Sequence, residues 1–159
     1  MYLTVHATAG ILIGSQTGNP LLAFTLSVFS HYILDAIPHD SIKGHRWHEK
    51  GNLIKKFALE ASIDFCILLG FIVYLQEKDL LTLSGSIVAG IIGAIIIDFM
   101  WGGIKLFNLK GKLFSSFIAL HEGAHSLIYK NQYIPLRYAV IVQLSTLVIL
   151  LGVYLLIRM

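Results

Sequence analysis

Long apolar runs broken by short polar stretches set the pattern of this chain, and their lengths predict helices rather than strands. The first run spans about Tyr2 to Gln16 and the second about Leu21 to Ile37. A polar, His-rich and basic loop follows from Pro38 to Asn52. A third run covers about Leu53 to Leu75, and a fourth about Leu83 to Ile104. After a basic connector, Lys105 to Lys112, the fifth run (about Leu113 to Tyr129) is interrupted by His121, Glu122 and His125, and a sixth covers about Leu136 to Ile157. Gly10, Gly14 and Gly18 recur every fourth residue, a small-residue face suited to close helix approach. Gly18-Asn19-Pro20 breaks the first two runs and leaves Pro20 at the start of the second helix. The expected fold is all-α, a polytopic integral membrane helix bundle of about six membrane segments in a single domain, 1–159. The first run is short against the roughly 20 residues a crossing needs, so the first two segments read as short crossings or as a re-entrant pair.

Composition strengthens that reading. Of 159 residues 56% are hydrophobic and 13% are charged, against about 25% charged in an ordinary soluble domain. Cys66 is the single cysteine, so no internal disulfide forms. No basic stretch precedes the first apolar run, so a cleaved signal peptide is not expected. The net charge of +3 fits loop topology, and no basic-aromatic module points to nucleic acid. Six crossings put both termini on one side. That side would carry Lys43, Arg46, Lys50, Lys55, Lys56, Lys105, Lys110, Lys112 and Arg158, leaving Lys78, Lys130 and Arg137 opposite. This bias predicts cytoplasmic termini; the expected setting is a prokaryotic-type inner membrane, with the lipid bilayer as the surrounding partner.

The candidate chemistry gathers in His31-Tyr32-Ile33-Leu34-Asp35-Ala36-Ile37-Pro38-His39-Asp40. His31 and Asp35 share a helical face, and Pro38 turns the chain so that His39 can fold back toward them. Ionisable groups inside apolar segments are costly and call for a partner or a purpose. At about 1.5 Å of rise per residue, His6, His31, Glu60, Asp98 and His121 all fall about 6–12 Å inside one membrane face. Asp35 lies a turn shallower, and Asp64 and His125 a turn deeper. His31/Asp35, Glu60/Asp64 and His121/His125 are each four apart and point in common directions. Together with His6, His39 and Asp98 they form an expected metal layer for one or two divalent ions, zinc first, with manganese or iron(II) also suited to mixed nitrogen and oxygen ligands. The alternatives are a polar cap at the membrane boundary, interhelical hydrogen bonds at Glu60/Asp64, and simple packing for His6.

His121-Glu122-Gly123-Ala124-His125 matches the H-E-x-x-H spacing, in which two His share a helical face and the Glu polarises a zinc-bound water. No Asp or Glu follows His125, so a third ligand has to come from elsewhere, such as His31 or Asp98. In the loop, His45 and His48 could close over the layer, Arg46 could meet a phosphate, and Trp47 could anchor at the headgroups.

His6 with Gly10, the stretch Thr17-Gly18-Asn19-Pro20-Leu21-Leu22-Ala23-Phe24, and Ser30 to His39 together resemble the membrane-bound metal-dependent hydrolases related to the LexA-regulated inner-membrane proteins. The resemblance covers about the first 40 residues and implies hallmark roles for His6, His31, Asp35 and Pro38. Of the family's later H-R-G-x-x-H-S segment, His45-Arg46 lacks the Gly and the spacing, and His121 to Ser126 has Glu for Arg and is one residue shorter. The resemblance implies a membrane-embedded metal-dependent hydrolase without fixing a substrate. The helix-borne His/Asp and His/Glu pairs also resemble the zinc-dependent phospholipase C and nuclease architecture, which implies a phosphoester of the lipid or isoprenoid phosphate class. Glu122 or Asp98 would be the base or the orienting carboxylate, with Arg46, Lys43 or Lys50 steering the headgroup. The alternatives are an intramembrane zinc protease using His121, Glu122 and His125, and a metal or proton transporter.

Overall fold

The structure is a computed structural model that describes residues 1–41, 53–128 and 133–159. It is all-α apart from two short strands, with six helices among the described residues. These are α1 (Leu3–Thr17), α2 (Pro20–Asp35), α3 (Leu53–Glu77), α4 (Gly85–Leu106), α5 (Lys112–His125) and α6 (Leu136–Arg158). Strand β1 (Asp40–Ser41) pairs in parallel with β2 (Tyr133–Ile134).

Local chemistry marks the helix ends. Gly18 takes a left-handed φ of 60°, and the Asn19 side chain accepts from Leu22 N at 3.1 Å, with Pro20 opening α2. Ser84 caps α4 by accepting from Ile87 N at 3.3 Å. Helix α2 stops at Asp35, three residues before Pro38, as the restriction on the residue preceding proline requires.

Helices α1, α2 and α4 form the tight centre. A Cβ on Gly14 would lie 2.5 Å from Ile87 Cα, and one on Gly93 would lie 3.0 Å from Phe24 Cα. Only glycine permits these approaches, which bring α4 against both α1 and α2. Ala7, Ile11, Ile87, Ile91 and Ala94 fill the space between, and Leu68, Leu75 and Tyr154 pack the outer helices onto it.

Three helices, Ala58–Glu77 within α3, α4 and α6, are long and apolar enough to cross a membrane. Their outer faces leave Ile67, Val73, Val148 and Ile149 more than half exposed, as lipid-facing surfaces do. The remaining helices have 15, 16 and 14 residues, so about six crossings is more than length and composition support.

The ends of the bundle correct the expected topology. Strand β1 just after α2 joins β2 just before α6, and Tyr2 N donates to Gln143 Oε1 at 2.9 Å. At the other end, the Tyr154 hydroxyl donates to the Leu80 carbonyl at 2.9 Å, and Gly18, Ser84 and Arg158 line one cleft. Met1 and Arg158 therefore lie at opposite ends, not on one side. The reason is α5: it starts beyond the C-terminal end of α4 and finishes with His125 beside His39 (ring centroids 5.1 Å apart), so it returns to the end it left. Among the described basic residues, Lys56, Lys105, Lys110, Lys112 and Arg137 fall at the Met1 end, and Lys78 and Arg158 at the other.

Candidate metal centre

Helix α2 delivers His31 and Asp35 one turn apart, α4 delivers Asp98, and α5 delivers His121 and His125. His31 and Asp35 are fully buried, His121 is nearly so, and the side chains of Asp98 and His125 are 19% and 18% exposed. One ligand atom from each of His31, Asp35, Asp98 and His121 lies within 4.8 Å of all the others, and Asp35, His39 and His125 form a second such group.

The separations fit a cation. His31 Nε2 is 3.0 Å from Asp35 Oδ2 and 3.8 Å from Asp98 Oδ1. His121 Nε2 is 3.6 Å from Asp35 Oδ2 and 3.4 Å from Asp98 Oδ1. A tetrahedron with zinc bonds of about 2.0–2.2 Å has edges of about 3.3–3.6 Å, which these four distances bracket. His31 Nε2, Asp35 Oδ2 and His121 Nε2 are also buried without a hydrogen-bond partner. Three orphaned polar atoms converging on one point would be costly unless an ion satisfied them, so the residues fit a divalent metal.

The neighbours orient these groups. His31 Nδ1 lies 2.7 Å from the Ala94 carbonyl, which can only accept, so the proton sits on Nδ1 and the Nε2 lone pair faces the cluster. His39 Nδ1 is held in the same way by the Ile37 carbonyl at 2.7 Å. His6 stacks on His31 at 4.1 Å, and its Nε2 lies 3.1 Å from Asp35 Oδ1. It therefore touches the oxygen of Asp35 opposite the one that faces His31 and His121. The Met1 amino group lies 2.5 Å from the same oxygen and 2.8 Å from His39 Nε2. Trp101 and Phe117 flank His121, at 5.8 and 6.5 Å between ring centroids.

Several expected members stand elsewhere. Asp64 accepts from Leu3 N, and from Thr4 Oγ1 at 2.8 Å, so it caps the first turn of α1 across the α1–α3 contact. Glu60 is exposed, and neither Glu60 nor Asp64 joins a ligand group among the described residues. The single layer expected from depth thus splits, because helix azimuth as well as depth decides which side chains meet. Glu122 lies on the exposed flank of α5, where it accepts from Lys105 Nζ at 2.9 Å and Trp101 Nε1 at 3.3 Å. Its neighbour positions His121 and His125 both turn inward, their Nε2 atoms 3.6 and 3.4 Å from Asp35 Oδ2. Arg46, with Lys43, His45, Trp47, His48 and Lys50, lies outside the described residues. The Ala94 and Ile37 carbonyls were not foreseen, and no side-chain pattern could have signalled them.

Comparisons of the chain with protein-family models, with curated proteins and with solved structures give no match. The geometry of the centre therefore carries the functional argument.

Proposed function

We propose that this chain is a membrane-embedded metal-dependent hydrolase acting on a phosphoester of the lipid or isoprenoid phosphate class. The observation that carries the reading is the convergence of buried, unpartnered His31 Nε2, Asp35 Oδ2 and His121 Nε2 at metal-ligand separations, with His31 locked in the ligating tautomer by Ala94. His31, Asp35, Asp98 and His121 would hold the ion, with zinc favoured by the four-coordinate spacing. A divalent ion held there would lower the pKa of a bound water toward about 7 and polarise a phosphoryl oxygen, both entering as ligands beyond the four protein groups or in place of Asp98. His6 fixes the rotamer of Asp35 through Oδ1. Asp98, the most exposed of the four, would be the group an incoming phosphate meets first, and could orient the water.

Membrane embedding is part of the proposal. Helices α3, α4 and α6 would cross, α1 and α2 would form a re-entrant or short hairpin, and α5 would stay at the metal end. The basic residues at that end favour a cytoplasmic centre, with Met1 on the cytoplasmic side of a prokaryotic-type inner membrane and Arg158 across it. The partial resemblance of the first 40 residues to the LexA-related membrane hydrolases agrees with this reading. A transporter needs a polar path to the far side, whereas Ile11, Ile87, Ile91 and Ala94 close the centre of the bundle. A protease base at Glu122 would first have to leave Lys105.

The test is the metal content of detergent-purified wild type beside His31→Ala, with phosphate release from phosphatidate or a polyprenyl phosphate followed in the same micelles. Expected are stoichiometric metal and metal-dependent release in the wild type, both lost in His31→Ala. A wild type that binds no divalent ion at micromolar concentration overturns the reading.

A further inference from the structure

We propose that α5 lies flat in an anionic lipid leaflet at the boundary between headgroups and acyl chains, with Leu113 and Leu120 among the chains and Ser115 and Glu122 turned to water. The metal centre then opens at that boundary, where an amphiphile can reach it from the leaflet. This placement rests on the reading of α3, α4 and α6 as membrane crossings and is independent of any ion.

Helix α5 has 14 residues, about 21 Å, too short for a hydrocarbon core of about 30 Å. It also crosses its neighbours. Helices α2 and α4 run side by side in one direction, with Phe24 beside Gly93 and His31 beside Ala94 and Asp98. On α5, His121 and Glu122 meet Asp98 at 3.4 Å and Lys105 at 2.9 Å on α4. One turn later His125 has reached His39, past the end of α2 (ring centroids 5.1 Å apart). A helix that passes from one of two parallel neighbours to the other near their ends lies across them.

The flanks of α5 set which side faces the lipid. Leu113 and Leu120 lie two turns apart on one stripe, which Leu127 continues past the helix end, and the three are 79%, 60% and 76% exposed. The residue after each helical leucine, Phe114 and His121, is partly or wholly buried. The next, about 200° round the helix from the leucine, is polar and exposed: Ser115 and Glu122. Glu122 pairs with Lys105, which stands nearer than Asp98 to the C-terminal end of α4. The polar flank therefore points out past the end of the bundle, and the leucine flank points back toward the acyl chains. Charge selects the lipid. No Asp or Glu lies between Asp98 and Glu122, and Glu122 is taken by Lys105. Lys110 and Lys112, just before Leu113, have no acidic partner among the described residues. Apolar side chains immersed beneath lysines at headgroup level hold an amphipathic helix to an anionic surface.

The experiment reconstitutes the full chain, carrying Cys66→Ser, into phosphatidylcholine vesicles with and without phosphatidylglycerol. Spin labels on Leu113→Cys, Leu120→Cys and Ser115→Cys report depth through their access to oxygen and to a water-soluble nickel chelate. The two leucine sites should lie below the phosphates, at depths differing by less than half of the about 10 Å that an upright helix would give. The Ser115 site should be open to the chelate. Bimane on Leu113→Cys should be quenched about twofold better by spin-labelled phosphatidylglycerol than by spin-labelled phosphatidylcholine, a preference lost in the double variant Lys110→Gln, Lys112→Gln. A depth difference near the upright value, or leucine sites as open to the chelate as Ser115, overturns the flat placement. Leucine sites shielded from both agents point to a protein partner, a second copy included, and overturn it too. Equal quenching by the two lipids overturns the anionic preference, whereas protein that does not float with the vesicles overturns the crossings themselves. Leu127→Cys supplies a third depth, so loss of any one variant leaves the placement decidable.

Discussion

His31 Nε2 and Asp35 Oδ2 lie 3.0 Å apart on adjacent turns of α2, yet neither atom is satisfied by a hydrogen bond. With His31 neutral and its Nδ1 proton given to Ala94, Nε2 and Oδ2 face each other as two acceptors in a buried space. That pairing becomes favourable around a proton or a metal cation.

Asp98→Asn keeps the size of the side chain and removes its charge. We expect metal affinity to fall at least tenfold, about 1.4 kcal/mol or more, with the helical content unchanged. Competition with a zinc chelator, read beside circular dichroism, checks this. Affinity equal to wild type would place Asp98 outside the ligand set.

Asp64→Ala should act on stability instead. Losing the cap on Leu3 N and Thr4 Oγ1 should cost about 0.5–2 kcal/mol while metal content stays at the wild-type level. Thermal unfolding in detergent and a metal assay on the same sample separate the two effects. Metal loss without destabilisation would return Asp64 to the ligand layer.

Gly93→Val should weaken metal binding without touching a ligand. A Cβ at Gly93 meets the α2 backbone at Phe24, so α2 must move away from α4 and carry His31 from Ala94 and Asp98. The overpacking should also cost about 1–3 kcal/mol. Gly152→Val, where a Cβ meets nothing within 4 Å, serves as the control and should match wild type in both assays.

Glu122→Gln removes an exposed ion pair with Lys105, worth about 0–1 kcal/mol. Metal content should be unchanged and hydrolysis should keep most of its rate, whereas His121→Ala should lose both. Abolished turnover with metal retained in Glu122→Gln would instead favour the protease-type reading of the H-E-x-x-H stretch.

The bundle ends yield a labelling test. In a Cys66→Ser background, single cysteines at Lys110 and at Lys78 should react with a membrane-impermeant thiol reagent from opposite sides. A cysteine at Met159 should behave like the one at Lys78. Labelling of Lys110 and Met159 positions from one side would restore the six-crossing arrangement.

The sequence by itself determined the helical class, the helix breaks at Gly18-Asn19-Pro20 and Pro38, and the pairing of His31 with Asp35 and of His121 with His125 on common faces. These follow from apolar run length, the proline restriction on its neighbour, and the helical repeat, all of which act within a few residues. Tertiary structure alone decided which faces meet. Glu60 was expected at the depth of His31 and Asp64 a turn deeper, but both point along another azimuth, so Glu60 is exposed and Asp64 caps α1 instead of entering the cluster. His39 joins Asp35 because the turn after α2 folds back, and α5 returns to its starting end, which sets His121 and His125 beside Asp35. Depth along a helix is written in residue number, whereas azimuth between helices is set by backbone contacts such as Gly14 against Ile87, which no local pattern specifies.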